Sequence, residues 1–289
     1  MTTPDTVVLI HGLWMTPLSW REWVSRLHER GFTVLTPTPP KMDHPIEELR
    51  ADPSLVAGIG IAEIADYYAD FIAGLPSPPI VMGHSLGGLM TQQMLGRGLG
   101  AAGVAIHSGQ AKGVLRLPFK QLRAALPVLG NPFNYYKGVP LTAEQFHYAF
   151  AGALSAEDSR KAWETFHVPA PGRPIFQAAT GNFTPHAAIT VDYRKADRAP
   201  LLMVTGSADR IVPASVVREN ASRYKTGVVE YREYPGRSHF TVGEPGWETV
   251  LDESLEWALA HSVGRRLPTP RSSSRLRRAL PLTLENLAS

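Results

Sequence analysis

The chain has 289 residues, none of them cysteine, and 29 Lys and Arg against 26 Asp and Glu give a formal net charge of +3. The missing cysteines exclude a disulfide scaffold, a thiolate metal site and a cysteine nucleophile. A hydrophobic content of 44% with 19% charged residues is that of a globular chain long enough to bury a sizeable core. No apolar run approaches the ~18 residues of a membrane span. The opening residues MTTPDTVVLIHG show neither a basic n-region nor a cleavable apolar stretch, so a cytoplasmic location without a signal peptide is expected.

The basic excess is unevenly spread. Residues 264–289 hold Arg265, Arg266, Arg271, Arg275, Arg277 and Arg278 with one acid, Glu285. Residues 1–263 carry 23 basic and 25 acidic side chains, so the body is at −2 and the tail at +5. The tail is rich in Arg, Ser and Pro with scattered apolar residues, which predicts a disordered appendage. A solvated tail without a specific role is the first reading and weak contact with an anionic membrane the alternative, and the near-neutral body gives no reason to expect nucleic acid. The oligomeric state is not legible.

Along the body, short apolar runs alternate with amphipathic helical stretches, the pattern of a parallel sheet flanked by helices. Residues 6–10 (TVVLI) read as a buried strand. Residues 18–29 read as a helix with Trp20, Trp23, Val24 and Leu27 on one face, and 32–35 as the next strand. The Pro-rich stretch 37–58 reads as a loop with at most one helical turn. A helix follows over 59–75, then a strand over 79–82, a helix over 86–95 and a strand over 104–106. Residues 109–190 contain no clear parallel strand. Helices are predicted there at 117–126, 142–153 and 155–166, with a Pro/Gly break at 169–172. The rhythm resumes with strands at 200–205 and 228–234 and helices at 213–224 and 247–261. The expected organisation is an α/β core from 1–108 and 191–263, a helical insertion over 109–190, and the tail.

The motif richest in chemistry is Gly83-His84-Ser85-Leu86-Gly87, set between a strand and a helix. A serine on so tight a turn needs small neighbours at both ±2 positions, and the turn lifts its hydroxyl above the sheet edge. The next amide, that of Leu86, then lies at a helix N-terminus, where partial positive charge accumulates. A serine hydroxyl needs a base and a group to orient that base. Asp209, in GSADRIVP, follows one core strand, and His239, in GRSHF, follows another. Ligands of open α/β sheets bind beyond the carboxyl ends of the strands, where all three residues fall. His11-Gly12-Leu13-Trp14 turns the chain after the first strand, offering the Leu13 amide as a second oxyanion donor beside Leu86. Trp14, His84 and Phe240 are the candidates for pocket walls, although His84 and His107, adjoining strands, are also expected to pack structurally. No metal-ligand spacing such as HExxH appears, and no metal or cofactor is expected.

VVLIHGLW, IVMGHSLGG, LLMVTGSADRIVP and EYPGRSHF, in that order, resemble the motifs of the α/β-hydrolase superfamily, in particular its lipase- and esterase-like (lysophospholipase-like) branch. The resemblance covers about residues 5–108 and 195–261. It implies an α/β-hydrolase fold, with helices on both faces of a mostly parallel sheet. The family has two further strands before the HG strand, so about six strands are expected here. Residues 109–190 would form a helical cap. The resemblance also implies nucleophile Ser85, base His239, orienting acid Asp209, and oxyanion amides on Leu13 and Leu86. A serine at position 85 separates the chain from haloalkane dehalogenases and epoxide hydrolases, which carry aspartate there. The function so implied is hydrolysis of a small to medium apolar ester or lactone through an acyl-enzyme. The alternatives are a hydroxynitrile lyase, a perhydrolase or carbon–carbon hydrolase, and a ligand-binding receptor that keeps the triad. The insertion carries eleven of the 25 aromatic residues, which fits either an apolar substrate pocket or the insertion's own core.

Overall fold

A computed structural model describes residues 3–262. The tail from 264 onward, with its expected disorder and the alternative of membrane contact, lies outside the described residues. Strands β1 (Thr6–Ile10), β2 (Thr33–Leu35), β3 (Ile80–His84) and β4 (Ala102–Ile106) precede the insertion. The insertion contributes a two-residue antiparallel pair, β5 (Gly138–Val139) and β6 (Ala170–Pro171). Strands β7 (Leu201–Gly206) and β8 (Val229–Tyr234) follow. The six long strands form one sheet in the order β2-β1-β3-β4-β7-β8, and every neighbouring pair is parallel. A parallel sheet must be covered on both faces, and the alternation of side chains along each strand divides the core accordingly.

Val7 and Leu9 of β1, Met82 of β3 and Leu202 and Val204 of β7 point to one face. There they meet Trp20, Trp23, Val24 and Leu27, whose 3.6-residue spacing forms the inner stripe of the turn Pro17–Trp20 and of helix α1 (Arg21–Glu29). Val8, Ile10 and Val81 point to the other face. They pack on α3 (Ile61–Ala73) and α4 (Leu86–Gly96), which follow α2 (Ile46–Ala51). The 37–58 stretch thus holds more helix than expected. Met42, Leu49 and Val56 give it a small core of its own, shared with Val168 of the insertion, and that core stabilises a helix too short to stand alone.

The insertion folds as α5 (Phe119–Leu129), α6 (Ala143–Ala149), α7 (Ala156–Phe166) and α8 (Gly172–Thr180). Helix α8 falls where the sequence shows a Pro/Gly break: Gly172 and Pro174 occupy its first turn, where neither the missing proline N–H nor glycine's freedom costs a helical bond. Helices α9 (Ala214–Arg223) and α10 (Trp247–Ser262) complete the core, α9 against β7 and β8 and α10 against β4 and β7. Among the described residues no helix is long and apolar enough to cross a membrane.

Trp23 is fully buried between α10 and the sheet, and its indole N–H donates to the Val242 carbonyl at 3.0 Å. Trp23→Ala therefore removes packing and leaves that carbonyl without its donor. Urea denaturation is expected to show a loss of about 3–5 kcal/mol.

Candidate active site

β3 hands over to α4 through a single residue. Ser85 takes φ +57°, ψ −117°, a conformation that a side-chain-bearing residue holds only when its surroundings impose it. Those surroundings are backbone. A Cβ on Gly83 would lie 2.0 Å from the Gly87 carbonyl oxygen, and one on Gly87 would lie 2.1 Å from that of Ile10. The Ser85 amide donates to Ile106 O (2.9 Å) on β4, which pins the turn to the neighbouring strand. Ser85 is buried, 9% exposed.

The loop after β7 carries Asp209, fully buried. Its Oδ1 accepts the amides of Ile211 (2.8 Å) and Val212 (2.9 Å), a turn that leads into α9. Its Oδ2 faces His239, whose Nδ1 lies 2.7 Å away in the loop after β8. Burial by itself would push the Asp209 carboxyl up, but the facing His239 and the hydrogen bonds from His107 and His239 hold it well below the usual carboxylate range. The group is therefore ionised, and Nδ1 of His239 must supply the proton of their bond. Nε2 of His239 is buried and has no hydrogen-bond partner, Ser85 included. A buried nitrogen with a free lone pair is costly as architecture and useful as a base. Such bonds are commonly long before substrate arrives.

The amides of Leu13 and Leu86 donate no hydrogen bond among the described residues. Both residues border a cavity of about 10 Å³, room for roughly one water molecule. Its other walls are His11, Gly12, Pro39, Met42, Ile64, Tyr68 and Met90. Trp14, His84 and Phe240 do not line it. Trp14 packs edge-on against Phe150 and donates its indole N–H to Val139 O (2.9 Å), while its own carbonyl accepts from Val168 N (3.0 Å). It fastens the loop after β1 to the insertion. His84 donates from Nε2 to the His239 carbonyl at 2.7 Å and so fixes that loop. Burial, then the nearby His239 and His107 rings, pushes its own pKa well down. Phe240 packs on Phe146 and Phe166, and its amide donates to Phe150 O (2.9 Å). A larger surface cavity of about 460 Å³ lies at the far end of α4, beside Gln93, Arg97 and Asp192.

Three features escape the sequence reading. Met42, Tyr68 and Met90 belong to no motif that singles them out, yet they line the small cavity. Phe150 sets its ring edge-on to His239, with centroids 4.9 Å apart. His107 stands directly after a core strand, as Ser85 does, and that position was its signal. Its Nδ1 lies 2.6 Å from Asp209 Oδ2. His107, Asp209 and His239 bring ligand-type atoms within 4.8 Å of one another. Both Nδ1 atoms are engaged as donors to the carboxylate, while both Nε2 atoms are buried without a partner.

Residues 7–252 match the alpha/beta hydrolase family. The chain belongs to that family. It is 27% identical over 218 residues to the monoacylglycerol lipase of Mycolicibacterium smegmatis, covering 70% of this chain and 72% of that protein. The monoacylglycerol lipase of Paleococcus ferrophilus superposes with a TM-score of 0.60 at 22% identity, over 90% of this chain and 97% of its own. A pyrethroid hydrolase from Sphingobium faniae JZ-2 superposes with a TM-score of 0.62 at 19% identity, over 89% and 98%. At those identities the two structures share the fold with this hydrolase-family chain.

Two outcomes follow from the site's packing. Gly83→Ala places a methyl group inside van der Waals range of a backbone carbonyl, so thermal denaturation should show a clear fall in Tm together with a displaced Ser85. The second concerns pH. Burial, opposed by the Gly12 carbonyl, pushes His11 down to about 4, and burial together with Arg50 takes His167 to about 4. The unfolded chain binds those protons near pH 6.5 and the folded chain does not. Stability is therefore full above about pH 6.5 and declines as pH falls toward 4, by at most about 3 kcal/mol per histidine. Urea midpoints measured between pH 7 and 4 check this, and His11→Asn should flatten the decline.

Proposed function

We propose that this hydrolase cleaves carboxylic esters by a serine mechanism, on small to medium apolar esters or lactones. One observation carries the reading. Ser85 sits on a strained strand-to-helix turn at the sheet edge shared with His239, whose Nδ1 is held by a buried ionised carboxylate and whose Nε2 is left free. In this reading His239 Nε2 takes the Ser85 proton as Oγ attacks the ester carbonyl. Asp209 stabilises the imidazolium that results. The oxyanion accepts from the amides of Leu13 and Leu86, which donate to no other group among the described residues, and each such donor is worth roughly 3–4 kcal/mol in the transition state. His239 then protonates the leaving alcohol, and water activated by the same nitrogen releases the acid.

Met42, Ile64, Tyr68 and Met90 wall a cavity too small for an acyl chain, so the apolar character of the substrate rests on the relatives. The insertion's aromatics support it less. Phe146 and Phe150 make a core under the insertion, whereas Phe119, Phe133, Tyr136 and Phe183 are 70–89% exposed and touch neither core nor cavity. Two relatives bear the name monoacylglycerol lipase, and an apolar acyl ester is the substrate class that such a likeness favours.

The test is a panel of p-nitrophenyl esters of rising chain length with a fluorophosphonate probe. Wild type should label once per chain and turn over esters. Ser85→Ala should lose labelling and about 10⁶-fold in kcat, and Asp209→Asn about 10⁴-fold. A wild type that neither labels nor turns over would overturn the reading, and labelling without turnover would favour a ligand receptor.

A further inference from the structure

The residue after β4 has no part in the steps just described. His107 is fully buried at φ +47°, and its amide donates to Val204 O on β7 at 2.7 Å. The ring is thus mounted on the sheet. Its Nδ1 approaches Asp209 Oδ2 at 2.6 Å, the same oxygen that His239 Nδ1 approaches at 2.7 Å. Two amides occupy Oδ1. A carboxylate offers about four lone-pair sites, and here four donors meet them. We propose that His107 is a positioning residue of the hydrolytic centre, donating Nδ1–H to Asp209 Oδ2 so as to fix that carboxylate and moderate its pull on the proton shared with His239. The kinetic half of this rests on the ester-hydrolase reading, and the hydrogen bond itself does not.

An ionised acceptor brings no proton, so each imidazole must bring its own on Nδ1. Burial drives His107 toward the neutral form, against the opposing bond and charge of Asp209. The neutral Nδ1–H tautomer then leaves at Nε2, which has no partner, a lone pair and not a stranded N–H. Behind the ring, Ser108 Oγ accepts from Gln92 Nε2 (2.6 Å), whose Oε1 accepts from Tyr224 OH (2.8 Å), so the end of β4 is braced. Two donors divide the charge density of Oδ2. The share drawn by His107 is lost to the imidazolium that forms on His239 during catalysis, while the carboxylate gains a second fixed bearing.

The other titratable groups around this centre are few. His84, at the end of β3, has its ring 6.1 Å from His107 and 4.7 Å from His239. Glu244, in the loop before α10, accepts from Ser238 N (3.1 Å) and lies 3.8 Å from Arg237. All of them remain in place in the variants below.

The first measurement is NMR of ¹⁵N-histidine-labelled wild type between pH 5 and 8. His107, assigned by its loss in His107→Asn, should stay neutral and Nδ1-protonated with a strongly downfield N–H. An Nε2–H tautomer or an imidazolium would overturn the proposal, whether or not the protein turns over esters. The second is the pH dependence of kcat/KM per fluorophosphonate-titrated site. His107→Leu removes the donor. His107→Asn keeps one, because its amide nitrogen stands where Nδ1 stood and asparagine tolerates positive φ. His107→Leu should move the acid limb up by about 0.5–1 pH unit and lower the plateau roughly tenfold. His107→Asn should return both to near wild type. If His107→Leu does not fold, His107→Gly, suited to the backbone, replaces it with the same expectation. Variants that melt earlier yet keep the wild-type acid limb assign His107 a purely structural role and overturn the proposal. A wild type without ester turnover defeats the ester-hydrolase reading and leaves the NMR result standing.

Discussion

Three loops that are far apart in sequence meet on the carboxylate of Asp209. Moving an isolated carboxylate into a dry interior costs several kcal/mol even after relaxation, so the charge persists only where donors converge on it. Two come from its own loop, one from the loop after β8 and one from the end of β4. Each must arrive within a few tenths of an ångström of its place. That demand explains why the groups sit where they do, since the carboxyl edge of a parallel sheet is where successive strands deliver their loops side by side with the least freedom.

The insertion is tied into the same arrangement. Phe150 offers one carbonyl to both Ser238 Oγ and the Phe240 amide, on either side of His239, and lays its ring edge against the imidazole. Trp14 reaches the other way, from the loop after β1 into the insertion. The insertion is therefore bonded to the loop after β1 and to the loop that carries His239. The burial of His239 and Asp209 also lowers the local dielectric, which strengthens every hydrogen bond there.

Much of this was legible in the residues. The strand runs were short and apolar between turn signals, and all six proved parallel. Ser85, Asp209 and His239 could be ordered along one edge because each follows a strand. Most core helix boundaries drifted by a residue or two, but in the insertion the helix expected over 142–153 ends at Ala149 and the one expected over 117–126 runs on to Leu129. The helix over 172–180 was hidden because Pro169, Pro171 and Gly172 read as a break, although a helix can start on Gly172. Trp14 reads as a pocket wall and serves as a fastener, since side-chain type does not tell which neighbour a ring meets. His107 was set aside because a buried histidine is most often only packed. Its partner lies 102 residues away, and only the register of β4 beside β7 brings them together.

Four residues other than glycine adopt positive φ among those described, and Trp14, Ser85 and His107 are three of them. Each stands at or just past the carboxyl end of a core strand. A side chain held in that conformation costs of order 1–3 kcal/mol against a relaxed alternative. Glycine would relieve the strain at all three, so a search for heat-resistant variants guided by backbone preference alone would be drawn to these positions first. It would take the hydroxyl from Ser85, the packing and indole hydrogen bond from Trp14, and the donor to Asp209 from His107. At Trp14 and His107 the strain relieved would be offset by the buried packing and hydrogen bonds that glycine cannot make.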